Sequence, residues 1–162
     1  MFCHQHIVAF TGHRNYNGTA NRELFEAVAQ LYAEGARTFR IGMAEGFDLC
    51  AGEAVVELMG EHSDIILEAC IPWPTFSNRF NTTDRSRYEA ILRRTNVVRY
   101  ASTEYHKSVF HSRNDMLVDG ADYLVAWWDG SPSGTGYTVG RARKNRCHIL
   151  NLYPDPQLNL EL

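Results

Sequence analysis

Three short glycine-bearing segments hold residue types suited to gripping a nucleotide. Thr11-Gly12-His13-Arg14 offers a hydroxyl donor, a backbone that a ligand can approach closely, and a guanidinium fork for phosphate. His13 alone is a weak signal, because histidines in turns are commonly solvated. Gly42-Met43-Ala44-Glu45-Gly46-Phe47-Asp48 places the small residues Gly42, Ala44 and Gly46 where a ligand could pass. Asp48 suits either a helix cap or a partner for a ribose hydroxyl or a basic group. Gly134-Thr135-Gly136 has the composition of a phosphate cradle at a helix start, with Thr135 as hydroxyl donor. It lacks the lysine of a P-loop, and the second segment is not GxGxxG. Neither Walker-type ATP hydrolysis nor NAD-dependent hydride transfer follows.

A fourth segment, His111-Ser112-Arg113-Asn114-Asp115, reads as helix. Its spacing puts His111 and Asp115 on one face, where they can pair. Arg113 points either into the ligand crevice or into water. Trp73, Phe76, Arg79 and Phe80 follow a strand-like run and suit a base-stacking loop, a lid packed on the core, or an interface. Cys3, His4 and His6 lack a second ligand pair at a recognised spacing, so no metal site is read there. No Ser-His-Asp order or HExxH motif is present.

The elements that must position these segments alternate along the chain. Strand-like runs cover 6–11, 38–42, 64–71, 96–101, 122–129 and 147–153. Helical patterns cover 21–35, 48–60, 84–95, 106–120 and 136–145. Asn21 or Thr19 is the expected cap of the first helix, and Asp84 opens the third. The tail after Pro154 is expected to be loosely held. Strict alternation predicts an α/β, doubly wound, mainly parallel Rossmann-like sheet with helices on both faces. The expected strand order is 3-2-1-4-5-6, with the crevice between the first and fourth strands. All three glycine loops then share one sheet edge.

A chain of 162 residues with 44% hydrophobic content suits a single domain with a real core, taken as 1–162 with its core at about 6–152. The net charge of −3 argues against a dedicated nucleic-acid binder. The cysteines form no CxxC pair, and Cys50, Cys70 and Cys147 sit among apolar residues. They read as buried free thiols in a reducing cytoplasm. No run approaches a membrane span, and the N-terminal residues do not read as a signal peptide.

These motifs, taken in order, resemble the YpsA-like branch of the SLOG superfamily of Rossmann-like proteins. The residues carrying the resemblance are Thr11 to Arg14, Phe39 to Asp48 with Ala51 and Glu53, Arg113-Asn114 and Gly134-Thr135. The resemblance spans about residues 6 to 152. It implies a nucleotide-type ligand, of ADP-ribose-like or NAD-derived kind, at the strand ends, and fixes no cofactor. By analogy it implies a homodimer.

The superfamily also holds the "lonely guy" phosphoribohydrolases, which carry Pro-Gly-Gly-x-Gly-Thr-x-x-Glu and an arginine on the preceding helix. This chain is similar at Arg113, Met116 and Gly134-Thr135. It departs at Ser131-Pro132-Ser133 and has Thr138 where the glutamate belongs. Threonine cannot stabilise an oxocarbenium or carry the proton as a carboxylate does. Glu45, Asp48 or Glu53 are the stand-in candidates, with Arg113, for any catalytic role.

The leading expectation is a cytoplasmic nucleotide-binding or sensing domain, with catalysis left open. A nucleotide-cleaving N-glycosidic hydrolase is the first alternative. A single-stranded DNA binder, using Arg93, Arg94, Arg99, Arg141, Arg143 and Arg146 as a patch, is the second.

Overall fold

The computed structural model describes residues 4–161. Six strands form one sheet: β1 (His6–Gly12), β2 (Ala36–Ile41), β3 (Ile66–Ile71), β4 (Val97–Tyr100), β5 (Tyr123–Trp127) and β6 (His148–Asn151). The helices are α1 (Asn21–Ala33), α2 (Phe47–Met59), α3 (Thr82–Leu92), α4 (Val109–Val118), α5 (Gly134–Lys144) and α6 (Pro156–Glu161), with a 3-10 turn at Phe76–Arg79. Every strand pair is parallel, so each connection must cross over the sheet.

The expected doubly wound architecture is present, but its strand order needs correction. The sheet runs β4-β3-β2-β1-β5-β6. β4 lies at the edge beyond β3, and β5 takes the place beside β1. The reason lies in burial. Val8, Ala9 and Phe10 of β1 are wholly buried, as are Leu124, Val125 and Ala126 of β5. Strands covered on both faces need such continuous apolar runs. Val97, Val98 and Tyr100 of β4 stay exposed, which suits an edge. Arg99 also fixes β4 there: it donates to Glu68 Oε1 at 3.0 Å, while Arg40 donates to Glu68 Oε2 at 2.8 Å. Burial pushes the Glu68 carboxyl up, but these two guanidinium bonds win and hold it below its usual range.

Alternation along β1 divides the core. Val8 and Phe10 join Leu24, Val28, Phe39, Phe47, Val55 and Ile91 beneath α1, α2 and α3. Ala9 joins Leu117, Val118, Leu124, Ala126, Val139 and Ala142 beneath α4 and α5. Small side chains on this second face let the two helices approach the sheet closely. Arg40 closes the C-terminal turn of α4 by donating to the carbonyls of Met116, Leu117 and Asp119. A cation there complements the helix dipole.

Several local expectations shift. Neither Thr19 nor Asn21 caps α1; the Tyr16 hydroxyl accepts from Ala20 N–H at 2.9 Å instead. α3 begins two residues before Asp84, with the Asn81 side chain accepting from Asp84 N–H. α5 begins at Gly134 rather than 136. The segment after Pro154 forms α6, which packs against β6. Cys70 and Cys147 are buried thiols, but Cys50 is only half-buried and accepts from Arg87. Cys3 lies outside the described residues. No helix among the described residues is long and apolar enough to cross a membrane.

Candidate functional site

The carboxyl ends of β1, β2 and β5 bring the three glycine loops together. The first and second loops touch through backbone: Phe47 N–H donates to the His13 carbonyl at 3.3 Å. Gly46, with φ +78°, lies so close that an added Cβ would stand 2.4 Å from the Arg14 carbonyl oxygen. Gly12 is equally confined, since a Cβ there would meet Phe47 Cβ at 2.4 Å. The first and third loops join where His13 Nε2 lies 2.9 Å from Asp129 Oδ1. Asp129 also accepts from the N–H and hydroxyl of Ser131, and those bonds hold its carboxyl below the usual range.

The second and third loops are bridged from α4. Arg113 is buried; it donates to the Gly42 carbonyl and, through Nε, to Asn114 Oδ1 at 2.8 Å. Asn114 in turn donates to the Gly134 carbonyl at 3.5 Å. Of the two directions open to Arg113 in the sequence, the structure takes the crevice. Gly42 is small for a reason: a Cβ there would lie 2.7 Å from Asp48 Oδ2 and 3.1 Å from an Arg113 nitrogen.

A cavity of about 630 Å³ opens between these loops. Thr11, Gly12, His13, Arg14, Ala44, Asp48, Arg113, Gly134 and Thr135 line it. Sequence reasoning missed further lining residues: Asn15, Phe110, His111, Asn114, Leu117, Asp129, Ser131 and Ser133. Phe110 precedes Arg113 by three positions, which on a helix is the same face; that spacing was a usable signal. Asp129 meets His13 from 116 residues away, and nothing local announces it.

Other candidates stand apart from the cavity. Gly136 is absent from its lining, and its N–H is taken by the Ser133 side chain at 3.0 Å. Glu45 faces Arg79 at 4.0 Å, and Glu53 pairs with Arg87 between α2 and α3. Of the three stand-in carboxylates, Asp48 alone lines the cavity. Thr138 is fully buried, and its hydroxyl turns back onto the Gly134 carbonyl at 3.0 Å. His111 does not pair with Asp115. Its ring stacks on Tyr137 at 4.1 Å, and Asp115 accepts from the Tyr137 hydroxyl.

Charge gathers around the Phe110 ring. The guanidinium carbons of Arg14, Arg79 and Arg113 lie 5.4, 5.7 and 6.0 Å from its centroid. Arg79 comes from the aromatic segment after β3. That segment packs on the core: Phe76 and Phe80 are buried, and Trp73 edges onto Phe76 and Phe110. Burial, then the neighbouring Arg14, lowers the Arg79 guanidinium below its usual value. Burial likewise lowers Arg113. Arginine does not give up its proton in proteins, so these groups stay charged side by side.

Asp48 sits on the first turn of α2. It does not cap that helix; its Oδ2 accepts from Ala44 N–H in the loop at 3.1 Å. Burial raises its carboxyl to about 6, against the opposing pull of Arg113, the Ala44 bond and Arg14. Between the ordinary carboxylate value near 4 and this raised value, the folded chain keeps a proton that the unfolded chain has lost. The stability Asp48 contributes is therefore fully present below about pH 4 and lost as pH rises through about 6. A shift of two units amounts to about 3 kcal/mol. Urea unfolding of the wild type and Asp48→Asn between pH 4 and 7.5 should show this descending component in the wild type alone. Parallel curves for the two proteins would refute it.

Against known proteins, a family profile described as the YspA SLOG family matches residues 8–150. This chain belongs to that family. The chain is 25% identical over 116 residues to the UPF0398 protein YpsA of Bacillus subtilis, covering 70% of this chain and 64% of that protein. It is 21% identical over 160 residues to a UPF0398 protein of Bacillus cereus, covering 91% of this chain and 87% of that one. Among solved structures, DNA processing protein A from Helicobacter pylori, described for its single-stranded DNA binding mode, superposes with a TM-score of 0.64 at 19% identity. That match covers 89% of this chain and 63% of the other. DNA processing protein A from Streptococcus pneumoniae gives 0.65 at 15% identity, covering 97% and 56%. The chain thus spans about two-thirds or less of the Bacillus subtilis relative and of both solved chains.

One expectation falls here. The net charge of −3 argues, on its own, against a nucleic-acid partner. The same Rossmann-like fold occurs in a protein described for binding single-stranded DNA, so overall acidity is no ground for that exclusion. The arginine patch imagined for such binding does not form as one surface, however. Arg93, Arg94 and Arg99 lie at or beside β4, while Arg141, Arg143 and Arg146 lie at the end of α5 towards β6, and these are opposite sheet edges.

Proposed function

We propose that the cavity binds a nucleotide through its phosphates, with the first turn of α5 and the arginines as the anion site. One observation carries this: three guanidinium groups crowd one ring beside a cavity that Gly134 and Thr135, at the N-terminus of α5, also line. Helix starts present amides without intrahelical partners. The cavity volume suits a ligand of mononucleotide to dinucleotide size, and ADP-ribose fits the class. Binding rather than cleavage is the better reading, because Thr138 occupies the glutamate position and Asp48 is held by Ala44.

Arg14 is exposed and makes no structural hydrogen bond among those described, so it gives a clean test. Titration calorimetry with ADP-ribose should show one saturable site per chain. Arg14→Ala should weaken it by roughly ten- to a hundredfold, the size of one charge-assisted bond, with an unchanged melting temperature. Failure of ADP-ribose, AMP and NAD to bind the wild type would remove this reading.

A second reading follows from the solved neighbours: the same cavity holds a phosphodiester of single-stranded DNA. Retention of an oligo(dT) probe that falls steeply with salt, and is competed away by DNA but not by ADP-ribose, would favour it over the first.

A further inference from the structure

We propose that His4, His6 and Asp122 form a binding site for a divalent transition-metal ion of the zinc type, at the end of the sheet remote from the nucleotide cavity. The proposal is independent of the nucleotide reading. His6 opens β1 and Asp122 immediately precedes β5, so the cluster lies at the amino ends of the strands, while the cavity lies at their carboxyl ends.

Three observations build the site. His6 opens β1 and His4 lies two residues before it; their rings meet edge-on at 5.5 Å, so both face the same side. The paired strand then brings a carboxylate to them: Ile7 N–H donates to Asp122 Oδ2 at 2.8 Å, and Asp122 N–H returns a bond to the Ile7 carbonyl at 2.8 Å. His4 Nε2 lies 3.1 Å from Asp122 Oδ2, and His6 Nδ1 lies 3.7 Å from the same oxygen. One donor atom from each residue falls within 4.8 Å of the others. Two nitrogens and an oxygen around tetrahedral zinc stand about 3.3 Å apart, given bonds near 2.0 to 2.1 Å. Small side-chain adjustments therefore close the site.

The decisive atom is His6 Nδ1. It is buried and has no hydrogen-bond partner. A plain His4–Asp122 ion pair leaves that nitrogen unsatisfied, which buried polar atoms seldom are; a metal ion satisfies it together with the other two donors. The His6 ring is held edge-on between His4 and Tyr123, at 5.5 and 5.6 Å. The Ile7 amide orients the carboxylate, as second partners of metal ligands do. Two imidazoles and one carboxylate select zinc, nickel or copper over calcium or magnesium, which prefer oxygen alone. His4 is largely exposed, so the fourth position opens to water. The linear sequence hides this site because its third donor lies 116 residues beyond His6. Bound metal would tie the segment before β1 to the start of β5.

The test uses the untagged full chain, stripped with chelator, and Zn²⁺ titrated against a chromophoric competitor. One Zn²⁺ per chain is expected, with a rise in melting temperature. His6→Ala and Asp122→Asn should each weaken binding at least tenfold and abolish the thermal rise. Asp122→Asn keeps a carbonyl oxygen for the Ile7 amide, so its metal-free melting temperature should stay near that of the wild type. ADP-ribose titrations of the variants should match the wild type. A wild type that takes up no Zn²⁺, or Asp122→Asn that binds it as tightly as the wild type, overturns the proposal.

Discussion

Arg113→Met should lose about 3 to 5 kcal/mol of stability, the cost of removing one member of a buried charged group while its partners stay behind. The guanidinium satisfies the Gly42 carbonyl and Asn114 Oδ1, and its charge pulls against the burial that raises Asp48. Methionine fills much of the same space and replaces none of those interactions. The raised Asp48 carboxyl should climb further, so the variant should unfold more readily as pH rises from 5 to 8. Urea denaturation read by circular dichroism would measure the loss. Arg113→Met/Asp48→Asn should recover part of it, because the stranded carboxylate is then gone. A single variant within 1 kcal/mol of the wild type would show that the buried guanidinium is structurally dispensable.

Gly46→Ala should cost about 3 kcal/mol. Its φ of +78° with ψ of −121° is a conformation that side chains resist, and the new Cβ would stand 2.4 Å from the Arg14 carbonyl oxygen. Backbone strain and forced displacement each contribute about 1 to 3 kcal/mol. The displaced atom belongs to the first glycine loop, so the damage should reach ligand binding as well as folding. Thermal melting gives the first effect, and ADP-ribose titration of whatever fraction remains folded gives the second. Retention of both wild-type values would mean the two loops are not in register as the structure has them.

Much of this was legible from the chain alone. Alternating apolar runs and amphipathic stretches gave the parallel sheet and its two helical layers, because burial imposes those periods directly. The position of β4 was not read correctly. A short Val-Val-Arg-Tyr run looks strand-like wherever it sits, and its place at the edge shows only in three dimensions, in the pairing with β3 and the Arg99–Glu68–Arg40 contacts. The unbroken apolar run Leu124-Val125-Ala126, against the Arg99-interrupted β4, was a usable sign that β5 neighbours β1.

The glycine loops declared themselves through local composition, and Gly12, Gly42 and Gly46 prove to be small because something else occupies their space. Glu45 and Glu53 were credible only while their partners were unknown. Arg79 and Arg87, on separate segments, claim them. Long-range pairs such as His13–Asp129 leave no local trace, since neither residue's neighbours depend on the other.

The sheet order carries a mechanical consequence. Residues up to Tyr100 supply four adjoining strands, and residues from Val109 onward supply the two that complete the sheet. β1 and β5 are the join between these contiguous stretches of chain. The cavity lies across that seam, taking Thr11 to Asn15 and Asp48 from one stretch and Phe110 to Thr135 from the other. Whatever fills it also staples the two portions of the protein together.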